Sequence, residues 1–143
     1  FKIKITEGYT TSKLLSELYP NEHPSWLEIV KQTDNISSLY READAYISAS
    51  LCETMSMAIA EASIYGLPII QSDIPGTMWN SDTPSSFLFK VRDALELSKR
   101  MEEVMNMDTS LLYEWCQESA RINSERLDMN VWCSRIIGVY SSL

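Results

Sequence analysis

One strand–helix–strand unit in the middle of the chain constrains the fold more than any other feature. A strand pattern at residues 45–49 precedes a helical pattern over about residues 55–65, and a second strand pattern, Ile-Ile-Gln, follows at residues 69–71. Gly66 suits the left-handed position just past a helix, and Pro68 can begin a strand without losing a ladder hydrogen bond. Because a crossover of this length joins parallel strands, the unit predicts a parallel pair.

Strands and helices alternate on both sides of this unit. The sequence predicts further strands at residues 1–6, 26–30 and 87–89, and only helical patterns after Val91. This alternation indicates an α/β fold, a Rossmann-like open and mostly parallel sheet flanked by helices, with a helical C-terminal segment. The other predicted helix features are a cap at Thr11 or Ser12, a helix over residues 36–43 and a cap at Asp128.

Composition excludes several classes of function. The 143 residues carry 12 basic and 20 acidic side chains, a net charge of −8, and 45% of the residues are hydrophobic. This length predicts one domain, residues 1–143, and the hydrophobic content excludes a disordered chain. The negative charge opposes a nucleic acid as partner, although backbone donors can still hold a small anion.

Metal chemistry has little support in the sequence. The cysteines Cys52, Cys116 and Cys133 show no metal-ligand spacing, and His23 is the only histidine. We predict that the cysteines are small buried hydrophobic residues. Trp132 lies on an apolar helical stripe, and we predict that it belongs to the core.

Two acidic residues mark a candidate site. Glu53 lies in the short loop after the third predicted strand, and Glu61 lies inside the following helix. Open parallel sheets bind ligands at the carboxyl ends of their strands. The N–H groups of Met55, Ser56 and Met57 would begin the helix there and can hold an anion. Residue chemistry alone leaves two alternatives open. Glu53 could be a simple acid of the first helical turn, and Glu61 could be a solvated surface residue.

The same segment resembles the Glu-x7-Glu motif of retaining glycosyltransferases with the GT-B fold, which are family 4-like enzymes of the "glycosyl transferases group 1" class. Seven residues separate Glu53 from Glu61, and residues 66–70 read Gly-Leu-Pro-Ile-Ile, which is similar to the family. Residues 39–47 resemble the helix and strand that precede the motif in the family. Residues 72–76 resemble its Asp-x-x-Gly loop, and the C-terminal helices resemble its helical cap.

The resemblance implies a role for each residue of the segment. Glu53 would be the catalytic residue, bonding hydroxyls of the donor sugar near its reactive carbon, and Glu61 would hold the ribose hydroxyls of the nucleotide. The backbone N–H groups between them would stabilise the charge of the leaving diphosphate. Besides Glu61, the donor-binding residues implied are Thr54, Met55, Ser56 and Met57, with Ile36 and Gly8 lining the base pocket.

The resemblance also implies a two-domain enzyme. The chain would be the C-terminal, donor-binding domain of that enzyme, an N-terminally truncated piece that is inactive alone, with a UDP- or GDP-sugar as co-substrate. We expect no cofactor and no metal, since the sequence lacks an Asp-x-Asp. The N-terminal domain of the same chain would hold a glycan or lipid-linked acceptor. The whole would be a cytoplasmic hexosyltransferase of polysaccharide biosynthesis, associated peripherally with a membrane through that N-terminal domain.

Departures from the family pattern leave an alternative open. The loop that usually reads Glu-Gly-Phe-Gly reads Glu-Thr-Met-Ser at residues 53–56, and nothing before Gly8 corresponds to the family's Arg and Lys pair. Residues 78–80, Met-Trp-Asn, replace an expected third acid. The alternative is a non-catalytic GT-B-like scaffold module of a secretion or assembly complex.

Overall fold

The computed structural model describes residues 2–6 and 9–142, and the chain divides into two compact units, residues 1–36 and 37–143. In the first unit, the strands β1 (Ile3–Thr6) and β2 (Leu27–Val30) are parallel, as predicted, and pair over their full length. Helix α1 (Tyr9–Leu18) connects them. The prediction that Thr11 or Ser12 caps this helix is wrong, because both lie inside it. Hydroxyl residues are compatible with a first turn, so the residue type alone does not fix where a helix begins.

The second unit alternates strands and helices and then continues in helices alone. Its strands β3 (Tyr46–Ser48), β4 (Ile69–Ser72) and β5 (Ser86–Phe89) form one parallel sheet in that order. The predicted α/β fold, with parallel strands, flanking helices and a helical C-terminal segment, is therefore confirmed. The helices are α2 (Ile36–Glu42), which begins at the boundary between the units, α3 (Met57–Ile64), α4 (Ala94–Asn106), α5 (Thr109–Arg126) and α6 (Met129–Ser141), with a 3-10 turn at Met78–Asn80.

Strand β4 organises the core of the second unit, because it is the middle strand of its sheet and is buried along its whole length. Ile69 belongs to one apolar cluster, with Tyr40 of α2 and Ile59 of α3. Its neighbour Ile70 belongs to another, with Val104 of α4. Successive strand residues point to opposite faces, so α2 and α3 cover one face of the sheet and α4 covers the other.

Aspartates begin the three C-terminal helices. The side chain of Asp93 accepts a hydrogen bond from the Glu96 N–H at the start of α4, and Asp108 accepts one from the Leu111 N–H at the start of α5. Asp128 accepts bonds from the first turn of α6, which confirms its predicted role as a cap. Each bond satisfies a helix-terminal N–H that otherwise lacks an intrahelical partner.

Helix α6 differs from the other C-terminal helices, because none of its residues is buried. Trp132 is 58% exposed, so the prediction that it lies in the core is wrong. Cys116 is buried as predicted, whereas Cys52 and Cys133 are exposed and contradict their prediction. An apolar stripe shows which face of a helix is hydrophobic and does not show what covers it. Across residues 2–6 and 9–142, no helix has the length and apolar character needed to cross a membrane.

Candidate functional site

The loop between β3 and α3 forms the centre of the candidate site. Ser56 has the extended backbone of an N-cap, with φ −77° and ψ 101°, and its carbonyl accepts the first intrahelical bond, from the Ala60 N–H. Helix α3 therefore begins at Met57. The predicted helix start at Met55 is wrong by two residues, because Ser56 has an extended backbone and is the cap that precedes the helix. Of the predicted backbone donors, Met57 alone lies in the first turn, where N–H groups lack intrahelical acceptors.

Glu53 is fixed by two contacts. Its carboxylate oxygen Oε1 accepts a hydrogen bond of 2.8 Å from the Ser50 hydroxyl, and its backbone meets Gly76. A Cβ atom added to Gly76 would lie 2.1 Å from the Glu53 carbonyl oxygen, so only glycine lets the loop after β4 approach so closely. Sequence reasoning placed Gly76 in a motif but missed this contact, which gives the motif's glycine a physical reason.

Glu61 is held by a side chain from α2. The Tyr40 hydroxyl donates a hydrogen bond of 3.0 Å to Oε2 of Glu61, although 21 residues separate the two. Burial raises the pKa of the Tyr40 phenol far above its ordinary value, and the bond to Glu61 raises it further. Tyr40 therefore stays protonated and remains a donor. Sequence reasoning placed Tyr40 only in the helix before the motif, and no local spacing signals this pair.

The phenol of Tyr46 is affected by the charges of both glutamates. Burial raises the pKa of Tyr46 on β3, and the charges of Glu53 and Glu61 raise it further. Like charges near a phenol oppose its ionisation, and the effect weakens with distance. Both carboxylates consequently lie within electrostatic reach of one tyrosine, which brings the two predicted acids to one region of the second unit.

Aromatic contacts support Tyr40. Its ring stacks on that of Tyr65 with 5.3 Å between centroids, and it meets the Tyr46 ring edge-on at 6.2 Å. The Tyr65 hydroxyl donates to Ser37 at 2.7 Å, and the Arg41 guanidinium lies 5.9 Å from the Tyr65 ring centroid. These contacts restrict the Tyr40 ring and therefore the direction of its hydroxyl.

A buried polar network supports the loop that carries Gly76. Gln71 of β4 donates to the Thr77 carbonyl at 2.9 Å and accepts from the Asn80 amide at 3.1 Å. Asn123 of α5 donates both to Asn80 at 2.7 Å and to Ser63 of α3 at 2.9 Å. The network therefore connects the loop after β4 to the helix that carries Glu61. Its one sequence signal was the polar Gln71 at the end of an apolar strand.

The remaining predicted site residues have different surroundings. Thr54, Met55 and Met57 are exposed, whereas Ser56 is buried. Ile36 is 38% exposed at the start of α2. Gly8 lies outside the described residues, so the base pocket stays a prediction. Within residues 2–6 and 9–142, no group of three or more His, Cys, Asp or Glu side chains could hold a metal ion.

Comparisons with known proteins identify relatives of this chain. The family model described as "Glycosyl transferases group 1" matches residues 7–107, which is more than half of the chain. No curated protein sequence matches the chain significantly.

Three solved structures share the fold. TarM matches with a TM-score of 0.80 over 97% of this chain at 16% identity. Anabaena HepE in complex with UDP-glucose matches with a TM-score of 0.81 over 99% at 18% identity, and sucrose-phosphate synthase from Thermosynechococcus elongatus with 0.76 over 92% at 16% identity. The matches cover 28%, 41% and 33% of those proteins, so this chain spans less than half of each. At these identities the likeness shows the fold, which is that of GT-B glycosyltransferases.

Proposed function

We propose that this chain, which belongs to the group 1 glycosyl transferases, is the donor-binding domain of a retaining glycosyltransferase of the Glu-x7-Glu type and binds a nucleotide sugar at Glu53, Glu61 and the start of α3. The observation that carries the proposal is the position of the two acids. Glu53 lies in the loop after β3, where it is hydrogen-bonded to Ser50 and packed against Gly76, and Glu61 lies on the helix that follows this loop. The two acids therefore flank a helix start at the carboxyl end of a parallel sheet. Such an edge is where open α/β sheets bind ligands.

The chemistry of each group fits a nucleotide sugar. Ser50 engages one oxygen of Glu53, which leaves the other to accept hydrogen bonds from sugar hydroxyls. The first N–H groups of α3, at Met57 and beyond, are suited to the negative charge that gathers on a leaving diphosphate. Glu61, exposed on α3, accepts hydrogen bonds from the hydroxyl groups of the ribose. These roles are what the resemblance to the family implies, and the contacts described above are compatible with them.

The proposed donor and acceptor are named only by class, because they rest on the resemblance to the family. The HepE structure was solved with UDP-glucose, which supports a nucleotide sugar as ligand class, and we propose a UDP- or GDP-hexose that is used without a metal ion. We place the acceptor, a glycan or lipid-linked glycan of polysaccharide biosynthesis, on a further domain at the cytoplasmic side of a membrane. A domain that binds only the donor is expected to transfer nothing by itself.

Calorimetric titration of the chain with UDP, GDP and their glucose conjugates tests the proposal. We expect one nucleoside diphosphate to bind and its sugar conjugate to bind more tightly. Glu53→Gln should keep the affinity for the nucleoside diphosphate and lose the extra affinity for the conjugate, whereas Glu114→Gln, an exposed acid of α5, should change neither. A folded chain that binds none of these ligands contradicts the proposal. NMR of the product anomer, made by an active enzyme that contains this domain, tests retention.

One observation favours the non-catalytic scaffold as a second candidate. The loop 53–56 lacks glycine, and the side chains of Met55 and Met57 are 42% and 60% exposed beside the predicted diphosphate site. Exposed methionines at an adaptable surface suit protein contacts. The double variant Met55→Gly, Met57→Gly separates the candidates, since a donor site that these side chains narrow should gain nucleotide affinity. A scaffold should bind no nucleotide before or after the change.

A further inference from the structure

We propose that Tyr40 is a positioning residue that orients the Glu61 carboxylate toward the vicinal hydroxyls of a ribose, and that it thereby gives the site its preference for ribonucleotides over 2′-deoxyribonucleotides. The inference rests on the proposed function and extends it to a residue outside the Glu-x7-Glu segment. Its starting point is the 3.0 Å hydrogen bond from the Tyr40 hydroxyl to Oε2 of Glu61.

The two partners differ in freedom. Tyr40 is 7% exposed, and its ring belongs to the apolar cluster that includes Ile59 and Ile69. Stacking on Tyr65 at 5.3 Å restricts the ring further. Glu61 is exposed, and a glutamate on a helix surface can turn about three side-chain torsions. The hydrogen bond from the fixed Tyr40 ring therefore restricts the Glu61 carboxylate, which would otherwise adopt several orientations.

The bond also leaves Glu61 able to bind a diol. An ionised carboxylate has about four acceptor positions on its two oxygens. Tyr40 uses one position on Oε2, which leaves Oε1 and the rest of Oε2 for two adjacent hydroxyls. A 2′-deoxyribose offers one of these hydroxyls fewer, so it gains less from an oriented carboxylate. Orientation of Glu61 should consequently appear as discrimination between the two sugars rather than as general affinity.

The protonation state of Tyr40 supports its role as the hydrogen-bond donor to Glu61. Burial first and the neighbouring Glu61 second raise the pKa of the Tyr40 phenol well above its ordinary value. The phenol therefore keeps its proton throughout the physiological pH range and stays a hydrogen-bond donor to Glu61. A purely structural tie between α2 and α3 would use the same bond, but it would affect both nucleotides equally.

The experiment compares ribose with 2′-deoxyribose in the full chain. Calorimetry measures the affinity for UDP and GDP and for their 2′-deoxy forms, in the original protein and in Tyr40→Phe, which keeps the ring and removes the hydroxyl. We expect Tyr40→Phe to weaken ribonucleoside diphosphate binding by about 3- to 10-fold, the effect of one hydrogen bond, and to weaken 2′-deoxy binding by a smaller factor, so that the discrimination between the two falls. Tyr113→Phe, at a tyrosine of α5 that is 65% exposed, is the matched control and should behave like the original protein.

The outcomes separate this inference from the proposed function. If the original protein discriminates ribose and Tyr40→Phe discriminates equally, or weakens both nucleotides alike, the role of Tyr40 is overturned while nucleotide binding stands. If the original protein binds no nucleoside diphosphate, both proposals fall. Glu61→Ala supplies a second variant that does not alter the core: it should abolish the discrimination, and retention of discrimination in this variant also overturns the inference.

Discussion

The two glutamates that flank the start of α3 are held by different kinds of contact. Glu53 depends mainly on its backbone, which meets Gly76 of the loop after β4, and its carboxylate accepts one further hydrogen bond, from Ser50. Glu61 depends on one side chain, the phenol of Tyr40. A backbone contact tolerates no added atom, whereas a hydrogen bond from a side chain can be removed with little disturbance. The position of Glu53 should therefore be sensitive to the whole loop, and that of Glu61 to a single group.

This difference separates stability from specificity. The loop that supports Glu53 belongs to a buried polar network that includes Gln71, Asn80 and Asn123, each fully buried. Changes there should lower the free energy of unfolding and displace Glu53 together. The Tyr40 hydroxyl should instead affect ligand choice with a small cost in stability. Substitutions in the loop and in the network show how far the two act as one support.

The largest effect is expected from Gly76→Ala. The added Cβ would lie 2.1 Å from the Glu53 carbonyl oxygen and 2.4 Å from the carbonyl carbon, so the loop must move. We expect a loss of about 3 kcal/mol or more in the free energy of unfolding, together with loss of nucleotide-sugar binding. Urea unfolding and calorimetry measure the two effects.

Gly138→Ala is the matched control for this substitution. Gly138 lies inside α6, and a Cβ there would have nothing within 4 Å. Alanine should stabilise the helix by about 0.5–1 kcal/mol, because glycine is the poorer helix former. Equal effects of the two substitutions would show that the contact between Gly76 and Glu53 does not support the site.

The next largest effect is expected from Asn123→Ala, which removes the amide that donates to Asn80 and Ser63. We expect a loss of about 2–3 kcal/mol in the free energy of unfolding, since two buried acceptors lose a donor. Asn106→Ala, at an exposed asparagine of α4, should cost about 0.5 kcal/mol or less. If Asn123→Ala unfolds at the same urea concentration as the original protein, the network does not stabilise the unit.

The sequence predicted the elements of the second unit because their signals are local. The order of β3, α3 and β4, their parallel pairing and the cap at Asp128 all follow from patterns within a few residues. The start of α3 was placed two residues early, because Met55 and Met57 are equally compatible with a helix and only the extended backbone of Ser56 marks the cap.

The parts of the site that sequence reasoning missed depend on contacts between distant residues. Tyr40 and Glu61 are 21 residues apart, and the approach of Gly76 to the Glu53 carbonyl joins two separate crossover loops. Neither contact has a spacing that a linear pattern could reveal. The wrong prediction that Trp132 is buried also reflects missing information about distant contacts. Periodicity identifies the apolar face of α6 and does not show which residues cover it.

A smaller effect is expected from Ser50→Ala, which removes the 2.8 Å hydrogen bond to Glu53. The pair is half-buried, so we expect a loss of about 1 kcal/mol in the free energy of unfolding. The freed carboxylate should bind the nucleotide sugar less tightly and leave the affinity for the nucleoside diphosphate unchanged. Ser134→Ala, on the exposed helix α6, controls for the loss of a hydroxyl. A full loss of folding in Ser50→Ala would mean that Ser50 supports the loop rather than the carboxylate.

The smallest effect is expected near the end of the loop between β4 and β5, where Arg126 of α5 contacts both Asp82 and the Trp79 carbonyl. The hydrogen bond from Arg126, more than its charge, lowers the pKa of Asp82 from 3.8. A depressed pKa in the folded state stabilises the protein above the unfolded value of 3.8 and loses that contribution as the pH falls through the lower folded value. Because Asp82 is exposed, Asp82→Asn should cost about 0.5 kcal/mol or less at pH 7. The free energies of unfolding of Asp82→Asn and of the original protein, measured with urea, should become equal once the pH lies below the folded pKa of Asp82. A difference that persists there would mean that Asp82 holds the loop through contacts that do not depend on its charge, which would add a second link from this loop to α5 beside that of Asn123.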